Sequence, residues 1–420
     1  MSGAMRRLLP ILRYLAIFGV ARGTLFIAPL VLASVLPATE YGILEWAYAT
    51  AAVLVNVVTL GTAGLVPVVM VGTSLPGVSI HGIRIQHLAV VMLCAGTVLA
   101  MLGARAEVWQ VALLIGVLAL QGLRSTQAKS DGRANASLLT DASLFGTMAV
   151  AAVLARLLMP QQTGVVVWLA ASACALVLGS SMVAGIGRQE ISQGVKDWIP
   201  TLKAGVPLML TGLVATLVAS AGRLGMGWLS DPVMTASYSV LSRGAALPII
   251  AHQVILVARF RNVFVEETAN LENILLAIIG LVTASACAVW ILSPWLAWML
   301  GPSFANAVAT YRAEFLWVLS QAILWSAIAL NDLVNNRFGT VGRVLKWSMP
   351  ALFAMLAIGV WVIKSLGVSV SAFVKVHGMI MLTFYLVQII TMRSQGIKLK
   401  KLWSFTVGAY SFLALYAWLS

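Results

Sequence analysis

Long apolar stretches separated by short polar connections run through the whole of this chain. A bilayer core takes about 20 apolar residues per helical crossing. Lipid offers no hydrogen-bond partners, so each crossing satisfies its backbone internally. The stretches lie near 14–36, 42–71, 85–103, 108–123, 138–158, 165–185, 204–229, 233–258, 273–299, 315–332, 347–363 and 370–391. The sequence therefore reads as an all-α polytopic membrane protein of 12 transmembrane helices, with 403–419 as a candidate thirteenth. Only 10% of its residues are charged and 61% are hydrophobic. A soluble domain carries about 25% charged residues to cover its surface.

The net charge of +14 would point to nucleic acid in a soluble protein, but its distribution argues otherwise. With the N-terminus in the cytoplasm, Arg6, Arg7, Arg84, Arg124, Lys196, Arg259, Arg343 and Lys398, among many others, fall on the inner side. Arg105, Arg156, Arg312 and Lys364 fall on the outer side. That asymmetry is the positive-inside pattern, so the charge orients the protein and implies no nucleic-acid partner. Arg6 and Arg7 precede an apolar run as in a signal peptide, but the run continues to Leu36, so an uncleaved first span is expected. Cys94, Cys174 and Cys287 are isolated, and His81, His87, His252 and His377 lack metal-ligand spacing, so no metal site is expected.

Arg22, Arg223, Arg243 and Lys375 sit inside stretches that otherwise read as spans. A charge inside a membrane is costly, so it faces a water-filled cavity or a partner. Arg22 lies about 12 Å into the first span at about 1.5 Å per residue, and Arg243 about 15 Å into the eighth. Arg223 and Lys375 lie nearer the outer face, where snorkelling competes with a cavity-facing role. Carboxylates inside spans are few: Asp141 and Asp332 at inner ends, Glu314 at an outer end. The cations thus point to an anionic substrate, whose phosphates an Arg fork would hold in bidentate fashion. Asn56, Asp141, Gln253 and Asp332 are candidates for a polar cavity or for coupling to an ion gradient of H+ or Na+. Interhelical hydrogen bonds are the competing role for the amides, and a solvated helix terminus for the polar run Asn331-Asp332-Leu-Val-Asn335-Asn336-Arg337.

A weak duplication runs through the chain. Arg22-Gly23 is followed by Tyr41 at the start of the next span, and Gly222-Arg223 by Tyr238 at the start of its own. Two six-helix bundles, 1–195 and 196–400, related as parallel repeats, are expected, with 401–420 as an extra apolar segment. There is no Walker A loop, no His-Glu-x-x-His and no nucleophile elbow, so no enzyme activity is expected.

Leu36-Pro-Ala-Thr-Glu-Tyr41-Gly42, the span ending Leu60-Gly61-Thr-Ala-Gly64, Gly205-Val-Pro207, Arg223-Leu-Gly-Met-Gly-Trp and Gly301-Pro302-Ser-Phe together resemble oligosaccharide flippases of the Wzx type. These belong to the MATE-like multidrug/oligosaccharidyl-lipid/polysaccharide (MOP) exporter superfamily. Relatives often carry an acidic residue before the Arg of the seventh helix, where this chain has Gly222. The resemblance implies a bacterial inner-membrane protein that moves an undecaprenyl-diphosphate-linked oligosaccharide outward for O-antigen, capsule or exopolysaccharide synthesis. It would work by rocking one bundle against the other, beside membrane lipid, a polysaccharide polymerase and a chain-length regulator. Arg22, Arg223, Arg243 and Lys375 would line the cationic cavity. A multidrug or small-molecule antiporter of the same superfamily is the alternative. A polymerase or ligase acting on the same lipid-linked sugars is more remote, because the outer loops are short.

Overall fold

The computed structural model describes residues 3–71, 76–101, 106–183, 187–250, 252 and 268–419. Every regular element among them is a helix. Twelve of these helices are long and apolar enough to cross a membrane, which makes the chain a multi-pass membrane protein. Leu99, Leu158, Leu176 and Trp298 are among many large apolar side chains left on the outside. Such a surface is stable where the surrounding solvent is lipid.

The chain divides into two compact units, Met1–Ser220 and Ala221–Ser420, with the dividing point inside one long helix. The first unit opens with α1 (Gly3–Val35), α2 (Ala38–Val58), α3 (Val66–Val71), α4 (Ile80–Met101) and α5 (Ala106–Ser130). It continues with α6 (Ala134–Leu158), α7 (Thr163–Val183) and the greater part of α8 (Arg188–Leu229). Its centre is α5, the most buried crossing, which packs on α2, α4, α6 and α7.

The second unit comprises the end of α8, α9 (Pro232–Gly244), α10 (Thr268–Ile291), α11 (Ser293–Leu300), α12 (Pro302–Thr310) and α13 (Arg312–Arg337). It closes with α14 (Val341–Leu366), α15 (Val370–Ser394) and α16 (Lys400–Leu419). Its most buried crossing is α13, packed on α10, α15 and α16. In each unit the fourth expected span therefore packs on the third and the sixth, and the fifth packs on the sixth. The segment at 403–419 is a helix of crossing length, α16, docked on α10 and α13.

Three expected boundaries differ from the structure. The expected span 42–71 is broken after Val58, where Leu60 and Gly61 both take left-handed backbone conformations (φ 51° and 66°) before a short 3-10 turn at Thr62–Leu65. A Cβ on Gly61 would run into the α8 backbone at Leu208 and Met209, and one on Gly205 into the Leu60 carbonyl. The break is thus where two backbones touch, and only glycine permits that approach.

The expected loop 186–203 is helical from Arg188 onward, so α8 is 42 residues long, about 63 Å at the helical rise. Its first turns lie along the start of α4, where Gly82 and Gly194 leave room for the opposite backbone. Trp198 donates to Gln86 Oε1 at 2.8 Å. Finally, the expected span 273–299 is divided at Leu292, because Pro294 brings no backbone donor and Ser293 Oγ caps the Trp290 carbonyl at 2.7 Å. The eighth expected span, 233–258, begins as α9 and runs beyond the described residues.

Candidate functional site

Arg22 is the cation most plainly without compensation. It lies in α1, half-buried, with its guanidinium carbon 5.8 Å from the Phe18 ring centroid, a contact within one turn. Its Nε is buried and makes no hydrogen bond. Among the described residues no salt bridge includes it. A half-buried guanidinium without a carboxylate is costly in a membrane, and a bound anion would offset that cost.

The two tyrosines named in the sequence, Tyr41 and Tyr238, are both buried. Tyr41 is 1% exposed and donates to Glu45 Oε1 at 3.1 Å. Tyr238 is 2% exposed, with its Oη 3.0 Å from His377 Nδ1. Each unit therefore buries a tyrosine hydroxyl against a titratable side chain, and the arginine of each pair, Arg22 or Arg223, has a buried Nε.

The second cluster is the richer one. Gln321 donates to the Val374 carbonyl at 2.7 Å, which turns its Oε1 toward His377 Nδ1 at 3.1 Å. An acceptor held there selects the tautomer with the proton on Nδ1. Gly222 sits directly against Tyr238, so that any Cβ at 222 would collide with the phenol oxygen and ring. An acidic side chain at 222 has no room while Tyr238 fills the space. Arg223, the next residue, is near enough for its charge to act on the Tyr238 hydroxyl.

Lys375 and Arg243 take other positions. Lys375 Nζ lies 4.7 Å from the Trp418 ring centroid, near the far end of α16. A cation over an indole face, less than two turns into α15, fits a side chain reaching toward an interface. Arg243 belongs to the last turn of α9, beside Gly244, which packs against the rings of Phe304 and Phe315.

The neutral and acidic candidates divide by role. Asn56 donates to the Ala52 carbonyl at 3.0 Å and to Thr216 Oγ1 at 3.1 Å, pinning α2 to α8 as an interhelical bond. Asp141 pairs with Lys129 at 3.5 Å, and its backbone carbonyl accepts from Gln121 at 2.8 Å. Gln253 lies outside the described residues. Asp332 accepts from Gln388 Nε2 at 2.9 Å, Gln388 Oε1 accepts from Asn331 at 3.3 Å, and Asn331 Oδ1 accepts from Trp403 at 3.4 Å. The helix-end polar run around Asp332 is therefore a buried network joining α13, α15 and α16, not a solvated terminus.

Two functional candidates escaped the reading of the sequence. Glu45 is a buried carboxylate inside a crossing, legible as the single acid in Leu44-Glu-Trp-Ala-Tyr48. His377 reads in the sequence only as a histidine without metal-ligand spacing, whereas the structure sets it against Tyr238 and Gln321. Those residues are 139 and 56 positions away, too far for any local signal.

No family model matches the chain, and no curated protein matches it. Solved structures of MATE transporters do share its fold. A MATE in complex with MaL6 aligns with a TM-score of 0.52 at 12% identity, covering 92% of this chain and 95% of that one. A MATE in complex with MaD3S gives 0.51 at 13% identity over 92% and 94%. The inward-facing conformation of a multidrug resistance MATE family transporter of the MOP superfamily gives 0.50 at 14% identity over 92% and 95%. At such identities the likeness is one of fold.

Proposed function

We propose that this chain is a transporter of lipid-linked anions. In this reading it moves an undecaprenyl-diphosphate-linked oligosaccharide from the cytoplasmic to the periplasmic leaflet of a bacterial inner membrane, by alternating access and without covalent chemistry. The observation that carries the reading is Arg22, half-buried inside a crossing with its Nε unsatisfied and no salt bridge among the described residues. A diphosphate supplies the charge and the acceptors that such a guanidinium lacks. Arg223 and Arg243 are the candidates of the second unit, where the contact of Lys375 with Trp418 makes it the weakest of the four. The MATE-like fold supports transport in general, with alternating access between two six-helix halves as its mode.

One specific observation favours the antiporter alternative. Glu45 and Asp332 are carboxylates inside crossings, the groups that a cation exporter or a proton-coupled exchanger would use. The two readings part in a deletion strain. Full-length lipid-linked repeat units retained on the cytoplasmic leaflet, with surface polysaccharide lost, support the flippase. Normal polysaccharide with changed tolerance to cationic drugs supports the antiporter and removes the flippase.

A further inference from the structure

At the end of the first unit where α2, α5 and α7 begin and α4 finishes, there is a pocket of about 410 Å³. The Trp109 and Trp168 rings meet there at 5.4 Å and 72°, so that two indoles form a corner. Glu40 lies on the same pocket and makes no hydrogen bond or ion pair among the described residues. Glu40 is exposed and belongs to the first turn of α2, where the helix dipole favours a carboxylate.

The carboxylate has a fitted seat. Its atoms rest against Gly164, where a Cβ would collide with them, so α7 carries a glycine at the one position that admits the Glu40 head. Gln110 also lines the pocket, is 8% exposed, and has a buried Oε1 without a hydrogen bond. A buried amide oxygen left unsatisfied is costly unless a ligand completes it. The remaining wall is aliphatic, and its Val165 and Leu169 are each 62% exposed on the membrane-facing surface.

A carboxylate, two indole faces and an amide oxygen select a donor-bearing cation, and aliphatic walls open to lipid select one with a hydrocarbon tail. We infer that this pocket binds the ammonium headgroup of a membrane aminophospholipid such as phosphatidylethanolamine. The site is separate from the cations of the proposed transport function and does not depend on that function. A soluble alkylammonium shares the headgroup chemistry, so the test separates the two sources.

The experiment uses native mass spectrometry of the full chain in detergent, stripped of lipid and titrated with phosphatidylethanolamine, phosphatidylglycerol or dodecylammonium. The expected result is preferential retention of phosphatidylethanolamine over phosphatidylglycerol, reduced about tenfold by Glu40→Gln, the scale of one charge-assisted contact. Gly164→Ala, which unseats the carboxylate, should reduce it similarly, and Gln110→Leu by a smaller factor. Thermal unfolding of the Glu40→Gln protein in detergent should match wild type, because Glu40 is exposed and unbonded. Equal retention of both phospholipids, or retention unchanged by Glu40→Gln, overturns the inference. Binding of dodecylammonium that depends on Glu40, with no such binding of phosphatidylethanolamine, overturns the lipid assignment.

Discussion

Gly222→Ala tests whether the packing around Tyr238 is as tight as the geometry implies. The new methyl would overlap the phenol oxygen, with Cζ and Cε1 of the same ring at 2.5 and 2.8 Å. Tyr238 is 2% exposed and its ring contacts Phe373 edge-on at 6.3 Å, so it has no empty space to enter. The ring must therefore swing away from His377 and give up a 3.0 Å hydrogen bond. Loss of that bond costs about 1 kcal/mol, and overpacking a filled site costs about 1–3 kcal/mol. The sum is about 2–4 kcal/mol, measurable as reversible unfolding of the purified chain in mixed detergent–SDS micelles.

A double-mutant cycle makes that figure specific. Tyr238→Leu alone is destabilising, but it removes the atoms that the methyl meets. The double variant should then be more stable than the sum of the single effects by at least about 1 kcal/mol. Strict additivity, or a Gly222→Ala protein as stable as wild type, would show that Tyr238 does not occupy the space assigned to it.

Three further outcomes follow from the same reasoning. Gly61→Ala places a side chain at φ 66° and against the α8 backbone, so it should cost at least about 2 kcal/mol in the same unfolding assay. Lys375→Ala removes only a contact with the exposed Trp418, so it should cost about 0.5–1 kcal/mol and leave transport intact. Asp332→Asn keeps an acceptor for Gln388 and should unfold like wild type, whereas Asp332→Leu strands that buried amide and should cost about 1–3 kcal/mol. A transport defect in the stable Asp332→Asn protein would mark the carboxylate as a coupling group.

The crossings were legible because apolar length is a property of contiguous sequence, and even the marginal segment at 403–419 is a helix of the expected length. The breaks within them were not. Leu60 and Gly61 interrupt α2 because α8 lies against them, and that neighbour is almost 150 residues away in the chain, a long-range cause that no local pattern records. The same limit governs the site. A cation inside a span announces itself by its cost, which made Arg22 visible, but its chemistry depends on what faces it. Asn56 and Asp332 read alike as polar residues in apolar surroundings. Thr216 makes the first an interhelical tie, and Gln388 makes the second part of a buried network. Gly222 shows the converse case: the need for a residue without a side chain there is visible only once Tyr238 is seen packed against it.

The most direct test of an anion-transporting function is reconstitution of the purified chain in liposomes, following translocation of a fluorescent diphosphate-linked oligosaccharide lipid. The account predicts that the wild-type protein moves this lipid and that Arg22→Ala, though folded, moves it at least about tenfold more slowly, the scale of one lost charged contact. Movement of cationic compounds alone, or full activity of Arg22→Ala, would contradict it.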